Sequence, residues 1–187
     1  MTNKNPWKTI SSKIVYRNQW LRMREDEVVR PDGKPGIYSV VEGKPFVCIV
    51  PKIGNMFYMV DQYRYPIQKQ SIEFPMGGIE SGESIEQALH RELQEESGLK
   101  SNSLKYLGFH YSANGHDTTG GHIYLAENCL EIAKKPEGSE LDMITQKFDE
   151  STIKKLIKDG TITDGPTVSA FCLYVLYKES SGETAAI

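Results

Sequence analysis

The chain has 187 residues, enough for one well-buried domain and few for two. Hydrophobic residues make up 39% and charged residues 25%, which excludes a disordered chain, and a formal net charge of -3 supplies no basic field for non-specific binding of nucleic acid. The N-terminal "MTNKNPWKTI" has no apolar signal core and the apolar run near the C-terminus is too short for a bilayer, so a soluble cytoplasmic protein is expected.

From Lys8 to Val41, β-branched and aromatic residues mixed with charges predict strands and hairpins, with turn chemistry at "RPDGKPG". "PFVCIVPKIGNMFYMVDQYRYP" predicts two strands around Gly54-Asn55, the first buried on both faces. "SIEFPMGGIESGE" is an extended piece that runs into a glycine-rich loop. The clearest helix covers about 84–97, with Ser84 and Gln87 as a capping box and Gly98 as its stop. Strands at "SLKYLGFHYS" and "HIYLAENC" follow, around the polar loop "ANGHDTTGG". Further helices are expected near 151–158 and from Pro166 to about Lys178, and the tail from 179 to 187 is expected to be mobile. The whole reads as one α/β domain with mixed strands. Cys48, Cys129 and Cys172 stand far apart without metal spacing; Cys48 and Cys172 lie in apolar runs and read as small buried hydrophobes of a reducing compartment.

The helix at 84–97 carries a conflict. Ile85, Ala88, Leu89 and Leu93 define its inner face, yet Glu92 and Glu96 fall inside that arc, four residues apart, with Glu95 flanking it. Like charges at a partly buried edge are costly. A hard divalent cation, Mg²⁺ for example, would offset them, whereas glutamates at the rim would simply be solvated.

The flanking spacing decides between these. Gly77, five residues, Glu83, seven residues, then "RELQEESGL" matches at nine fixed positions over twenty-three residues: Gly77, Glu83, Arg91, Glu92, Leu93, Glu95, Glu96, Gly98 and Leu99. That pattern is the Nudix box, and the chain resembles a Nudix hydrolase. The resemblance implies a Nudix fold, a mixed β-sheet sandwiched between helices (α/β/α), with an N-terminal β region over about 1–42 and a catalytic core over about 43–178. It implies Mg²⁺, with Mn²⁺ as an alternative, and metal ligands Glu92, Glu95 and Glu96, with Glu83 joining directly or through water and Met76 offering its carbonyl oxygen. Arg91 is expected to orient the glutamates rather than touch substrate. A late acidic stretch, "KPEGSELDM", is where the ADP-ribose branch of the family carries its general base; Glu140 is favoured, with Asp142 and Glu137 as alternatives.

Three features resemble the branch that cleaves ADP-ribose and other nucleoside diphosphate sugars. They are the long N-terminal β region, which in that branch helps form a homodimer, the "DQYRYP…SIEFPMGG" stretch, where Arg64 and Glu73 would contact substrate, and "DGTITDGPTVSAF" before the last helix. One departure is that Ala113 and Asn114 stand where many ADP-ribose enzymes carry a turn proline, which favours a broader choice of sugar nucleotide. In the same loop Asn114, His116 and Asp117 could reach a sugar hydroxyl, although a plain turn is the stronger expectation, and His110, His116 and His122 lack a zinc-ligand pattern. Trp7 and Trp20 are expected to pack across a dimer contact. The activity implied is Mg²⁺-dependent cleavage of the diphosphate to a nucleoside monophosphate and a sugar phosphate. The competing readings are a dinucleoside polyphosphate or capped-RNA hydrolase and a non-catalytic nucleotide-sugar sensor.

Overall fold

A computed structural model describes residues 5–136 and 138–182, within which the chain forms two compact units. The first runs up to Lys44 and includes residues 111–120. Its strands β1 (Lys8–Arg17), β2 (Arg22–Val29) and β3 (Pro35–Glu42) pair antiparallel in that order. The β2–β3 turn closes through Gly33, at φ 81°, a left-handed conformation that glycine adopts without strain. The polar loop at 111–120 is not a free turn: it lies along β3, where the Val41 N–H donates to the His116 carbonyl at 2.8 Å and the Tyr38 hydroxyl to the Gly115 carbonyl at 2.6 Å.

The second unit carries β4 (Phe46–Ile53), β5 (Met56–Arg64), β6 (Lys69–Glu73), β7 (Met76–Gly78), α1 (Ile85–Ser97) and β8 (Leu99–Lys100). Then come β9 (Ser103–Tyr111), β10 (Gly120–Glu127), β11 (Leu130–Glu131), β12 (Ile144–Asp149), α2 (Glu150–Lys158) and α3 (Gly165–Ser180). The main sheet has the order β12-β5-β4-β10-β9, with β6 added on β5 and β7 on β4. It is mixed, because β4 runs parallel to β10 but antiparallel to β5 and β7.

Strand β4 is buried from Phe46 to Pro51, as its unbroken apolar run predicts. Its side chains alternate between two cores. Phe46, Cys48 and Val50 join Phe57, Met59, Ile153 of α2 and Phe171 and Tyr174 of α3, while Val47 and Ile49 join Ala88, Leu89 and Leu93 of α1. A sheet that buries both faces needs a helical layer on each, and here α2 and α3 cover one face while α1 covers the other. Each α1 leucine withdrawn from water contributes roughly 2 kcal/mol to that packing.

Local chemistry sets the helix ends. The Ser84–Gln87 capping box is formed in both directions, and Gly98 closes α1 in the left-handed region at φ 66°. Asp149 and Asp164 cap α2 and α3, each accepting from the backbone N–H three residues on. Cys172 corrects an expectation, since it is exposed while Cys48 and Cys129 are buried. The buried face of α3 is set by Thr167, Ala170, Phe171 and Tyr174, and position 172 falls off that stripe. Helix α3 runs to Ser180, past the expected Lys178; residues 183–187 of the expected tail lie outside those described. Among the described residues no helix is long and apolar enough to cross a membrane.

Candidate active site

Four residues between β6 and α1 bring the pieces together. After Glu73 the chain leaves β5, passes Phe74 and Pro75, and joins β4 as β7. This places Met76 and Gly77 against the inner side of α1. The Met76 N–H donates to Glu96 Oε2 at 2.8 Å, so a strand amide directly engages a helix carboxylate.

Gly77 approaches still closer. A Cβ on it would lie 1.9 Å from Glu92 Oε1 and 2.2 Å from the Glu92 carboxyl carbon. Only a residue without a side chain leaves this carboxylate its position, which gives the first glycine of the motif a steric rather than a conformational role.

The apolar stripe of α1 is interrupted by buried charge where expected. Glu92 and Glu96 are each 4% exposed, beside Ala88, Leu89 and Leu93. Burial pushes the Glu92 carboxyl up to about 7; Arg91 pulls it down, and the charges of Glu140 and Glu95 push it up further. Burial pushes Glu96 up to about 8, with the Glu92 charge as the next cause and the Met76 N–H opposing both. In both carboxylates burial outweighs the counter-charge within reach.

Arg91 supplies one part of it. Its Nε and Nη2 donate to the two Glu83 oxygens at 2.8 and 2.9 Å, and its Nη1 donates to Glu92 at 2.5 Å and Glu95 at 3.2 Å. Nη2 also donates to the Gly78 carbonyl at 2.9 Å, which ties the fork to the glycine-rich strand. A rigid planar donor set suits this work, and lysine could not reproduce it. Arg91 holds Glu83 down at about 2, helped by the Glu80 N–H.

Glu92, Glu95 and Glu140 bring one carboxylate oxygen each within 4.8 Å of one another. Glu140 reaches the group from the short 3₁₀ turn Gly138–Glu140, and its carbonyl accepts the Met143 N–H at 3.0 Å in the turn that follows. The donors are hard oxygens without sulfur or imidazole, the composition that suits Mg²⁺ or Mn²⁺. With burial raising Glu92 and Glu96 and the glycine cradle at Gly77, these residues fit a divalent cation.

The expected site residues fall into three groups. Glu92, Glu95 and Glu140 converge, and Glu96 stands one turn along the same face, engaged by Met76. Glu83 is turned toward Arg91 and the Glu80 N–H and is outside the cluster, in the place of a support for Arg91. Arg64 and Glu73 form a pair of their own: Arg64 Nε donates to Glu73 at 2.9 Å, its Nη2 donates to the second oxygen, and Glu73 is 1% exposed. Of the alternatives to Glu140, Asp142 is exposed and Glu137 lies outside the described residues. On strands β9 and β10, His110 packs its ring on Phe46 and His122 on Phe109, while in the loop the Asp117 carboxylate accepts from Thr119.

Thr167 lies in the stretch "DGTITDGPTVSAF" that carries part of the resemblance, but the sequence assigns it no role. Thr167 is fully buried and accepts the Phe74 N–H at 3.0 Å.

Comparison with known proteins adds two family matches. The Nudix domain matches residues 45–170, and the nucleoside diphosphate sugar hydrolase N-terminal domain matches residues 7–41. The chain is 28% identical over 178 residues to an ADP-ribose pyrophosphatase of Bacillus subtilis, covering 92% of this chain and 94% of that one. It is 28% identical over 167 residues to a methanol dehydrogenase activator of Bacillus methanolicus, covering 87% and 89%. A crystal structure of ADP compounds hydrolase has the same fold, with a TM-score of 0.86 over 98% of this chain at 20% identity.

Proposed function

The chain belongs to the Nudix hydrolase family, and from this premise we propose that it hydrolyses the diphosphate bond of nucleoside diphosphate sugars, ADP-ribose among them, in a reaction that requires Mg²⁺ or Mn²⁺. The observation that carries the reading is the convergence of Glu92, Glu95 and Glu140 on one α1 face whose other buried carboxylate, Glu96, is pushed up to about 8 by its burial. The Bacillus subtilis relative named for ADP-ribose pyrophosphatase activity supports the substrate class.

A divalent cation, when bound, lowers the pKa of water and offsets the charge of the phosphates. Glu92, Glu95 and Glu96 would hold it, with the Met76 carbonyl as an uncharged donor, and Arg91 keeps the first two carboxylates in place through bonds it already makes. Arg64, fixed by Glu73 through Nε and Nη2, presents the rest of its guanidinium to the anionic oxygens of substrate. Glu140 accepts the proton of the attacking water. The new P–O bond forms as the bridging P–O bond breaks, and the products are a nucleoside monophosphate and a sugar phosphate. No covalent enzyme intermediate is needed.

The exposed apolar residues of β1, Ile10, Ile14 and Tyr16 among them, support a homodimer built through the N-terminal strands. A monomer in light scattering at micromolar concentration would reject it. Three unpaired cysteines support a cytoplasmic setting.

The test is product formation with Mg²⁺ across ADP-ribose, ADP-glucose, GDP-mannose, UDP-glucose and diadenosine polyphosphates. Cleavage of several sugar nucleotides supports the proposal in its broad form. Preference for dinucleoside polyphosphates would overturn the substrate class, and binding without turnover would make the protein a sensor.

A further inference from the structure

Each residue of the segment Glu73-Phe74-Pro75-Met76 is tied to a different element. The Glu73 side chain binds Arg64 of β5, the Phe74 N–H binds Thr167 of α3, the Pro75 carbonyl accepts from Ile49 of β4 at 2.9 Å, and the Met76 N–H binds Glu96 of α1. Arg64 and Glu96 are the substrate-side and cation-side groups of the reading above. The four-residue segment joins them, hydrogen-bonded to Arg64 at its first residue and to Glu96 at its last.

Within this segment the backbone has a weak link. Between its pairing as β6 with β5 and as β7 with β4 it crosses from one ladder to the next, so Phe74 has no strand partner for its N–H, and Pro75 has no N–H at all. Phe74 is fully buried, where an unsatisfied amide is costly. The acceptor is the Thr167 hydroxyl, itself 0% exposed. Thr167 is fixed in turn by helix geometry, because its own N–H donates to the capping Asp164 carboxylate at 2.8 Å. The first turn of α3 therefore determines where the residue next to Glu73 sits.

We propose that Thr167 is a positioning residue for substrate binding: through the Phe74 amide it sets the place of Glu73 and hence the direction of the Arg64 guanidinium. The inference rests on the nucleotide-sugar reading. Arg64 is 40% exposed at its side chain while Glu73 is 1% exposed, so the carboxylate is the anchored partner and the arginine the presented one. A shift of Glu73 turns the guanidinium away from substrate without removing a charge from the site.

The test compares Thr167→Val, which keeps the shape and deletes the acceptor, with Thr167→Ser, which keeps the oxygen, each alone and with Arg64→Ala. Binding of ADP-ribose is measured by calorimetry in EDTA, where no turnover occurs, and kcat and KM are measured separately with Mg²⁺. Thr167→Val should weaken binding and raise KM about tenfold, the effect of one misdirected charge-assisted hydrogen bond, with kcat changed by less than about threefold. Thr167→Ser should stay within about threefold of the unaltered protein, and Thr167→Val should cause no further loss once Arg64 is alanine. Equal losses with and without Arg64 would mean that Thr167 acts only through packing, and failure of Thr167→Ser to restore binding would show that the hydroxyl is not the cause; either result overturns the proposal. If the unaltered protein binds ADP-ribose but does not cleave it, the hydrolase reading fails and the binding cycle still decides the role of Thr167. If it binds no sugar nucleotide, both fall.

Discussion

Gly77→Ala isolates one steric relation from the rest of the site. The added methyl would sit 1.9 Å from Glu92 Oε1, against an ordinary contact of 3.4 Å or more, so the carboxylate must withdraw by about 1.5 Å (3.4 minus 1.9). Glu92 is buried and held by Arg91, which is also bound to Glu83, Glu95 and the Gly78 carbonyl, so its retreat pulls against the whole fork. Ligand distances around Mg²⁺ tolerate about 0.2 Å, and a misplacement of about 1 Å near reacting groups can cost about 100-fold in rate. The expected loss in kcat/KM is therefore at least about 100-fold, with the Mg²⁺ requirement shifted to higher concentration. Stability should fall by on the order of 1–3 kcal/mol, because buried Glu92 is drawn from its bond to Arg91, although Gly77 has no positive φ and adds no backbone strain. Gly78→Ala is the internal control, since a Cβ there meets nothing within 4 Å. Steady-state kinetics over a Mg²⁺ titration, with thermal melts of both variants, makes the comparison. Gly77→Ala activity within about threefold of the unaltered protein would refute the cradle argument.

Raised carboxylates predict the pH dependence of the metal-free protein. Glu92 and Glu96 are raised to about 7 and about 8 from near 4.5, so the folded state binds protons more tightly than the unfolded one, and stability falls as pH rises from about 4.5 through 8. At about 1.4 kcal/mol per unit the loss amounts to several kcal/mol, which melts in EDTA at stepped pH should reveal. Flat stability across that window would remove the case for uncompensated charge. Glu96→Gln should flatten much of this dependence and raise the melting temperature in EDTA at pH 8, while activity falls by at least about 100-fold; a destabilised variant would contradict the account. Arg91→Ala should weaken Mg²⁺ binding by about 10- to 100-fold, measured by calorimetry, because it frees three glutamates that it now orients. Arg64→Ala should raise KM and cost on the order of 3 kcal/mol in denaturant unfolding, because it leaves Glu73 buried without its cation.

The legible and illegible parts of the fold divide by the range of the interaction that fixes them. The α1 caps, Ser84 with Gln87 and then Gly98, are interactions within a few residues, and they stand in the structure as read. The two-faced burial of β4 is likewise local, since an unbroken apolar run admits few other solutions. The face of α3 is not legible in the same way, because the run around Cys172 is apolar on all sides and a stripe cannot be picked out of it without its partners. The loop at 111–120 looked like a plain turn, and only its long-range bonds to Tyr38 and Val41 make it part of the N-terminal sheet.

The same division runs through the site. The burial of Glu92 and Glu96 is legible because their conflict with the apolar stripe lies within one helix, where spacing translates directly into geometry. Glu83 could not be placed among them or apart from them, since its position depends on whether a loop carboxylate prefers a cation or Arg91, and the short bonds to Arg91 decide for the latter in the protein alone. Glu140 became distinguishable from Asp142 only when a 3₁₀ turn of a distant loop brought one of them to Glu92 and Glu95. Thr167 lies at the far end of this scale, as its hydroxyl matters because a chain crossing between two ladders leaves one amide bare 93 residues away. Arg91 shows that a motif can record a residue that holds others in place; Thr167 shows that such a residue is otherwise visible where the backbone runs short of partners.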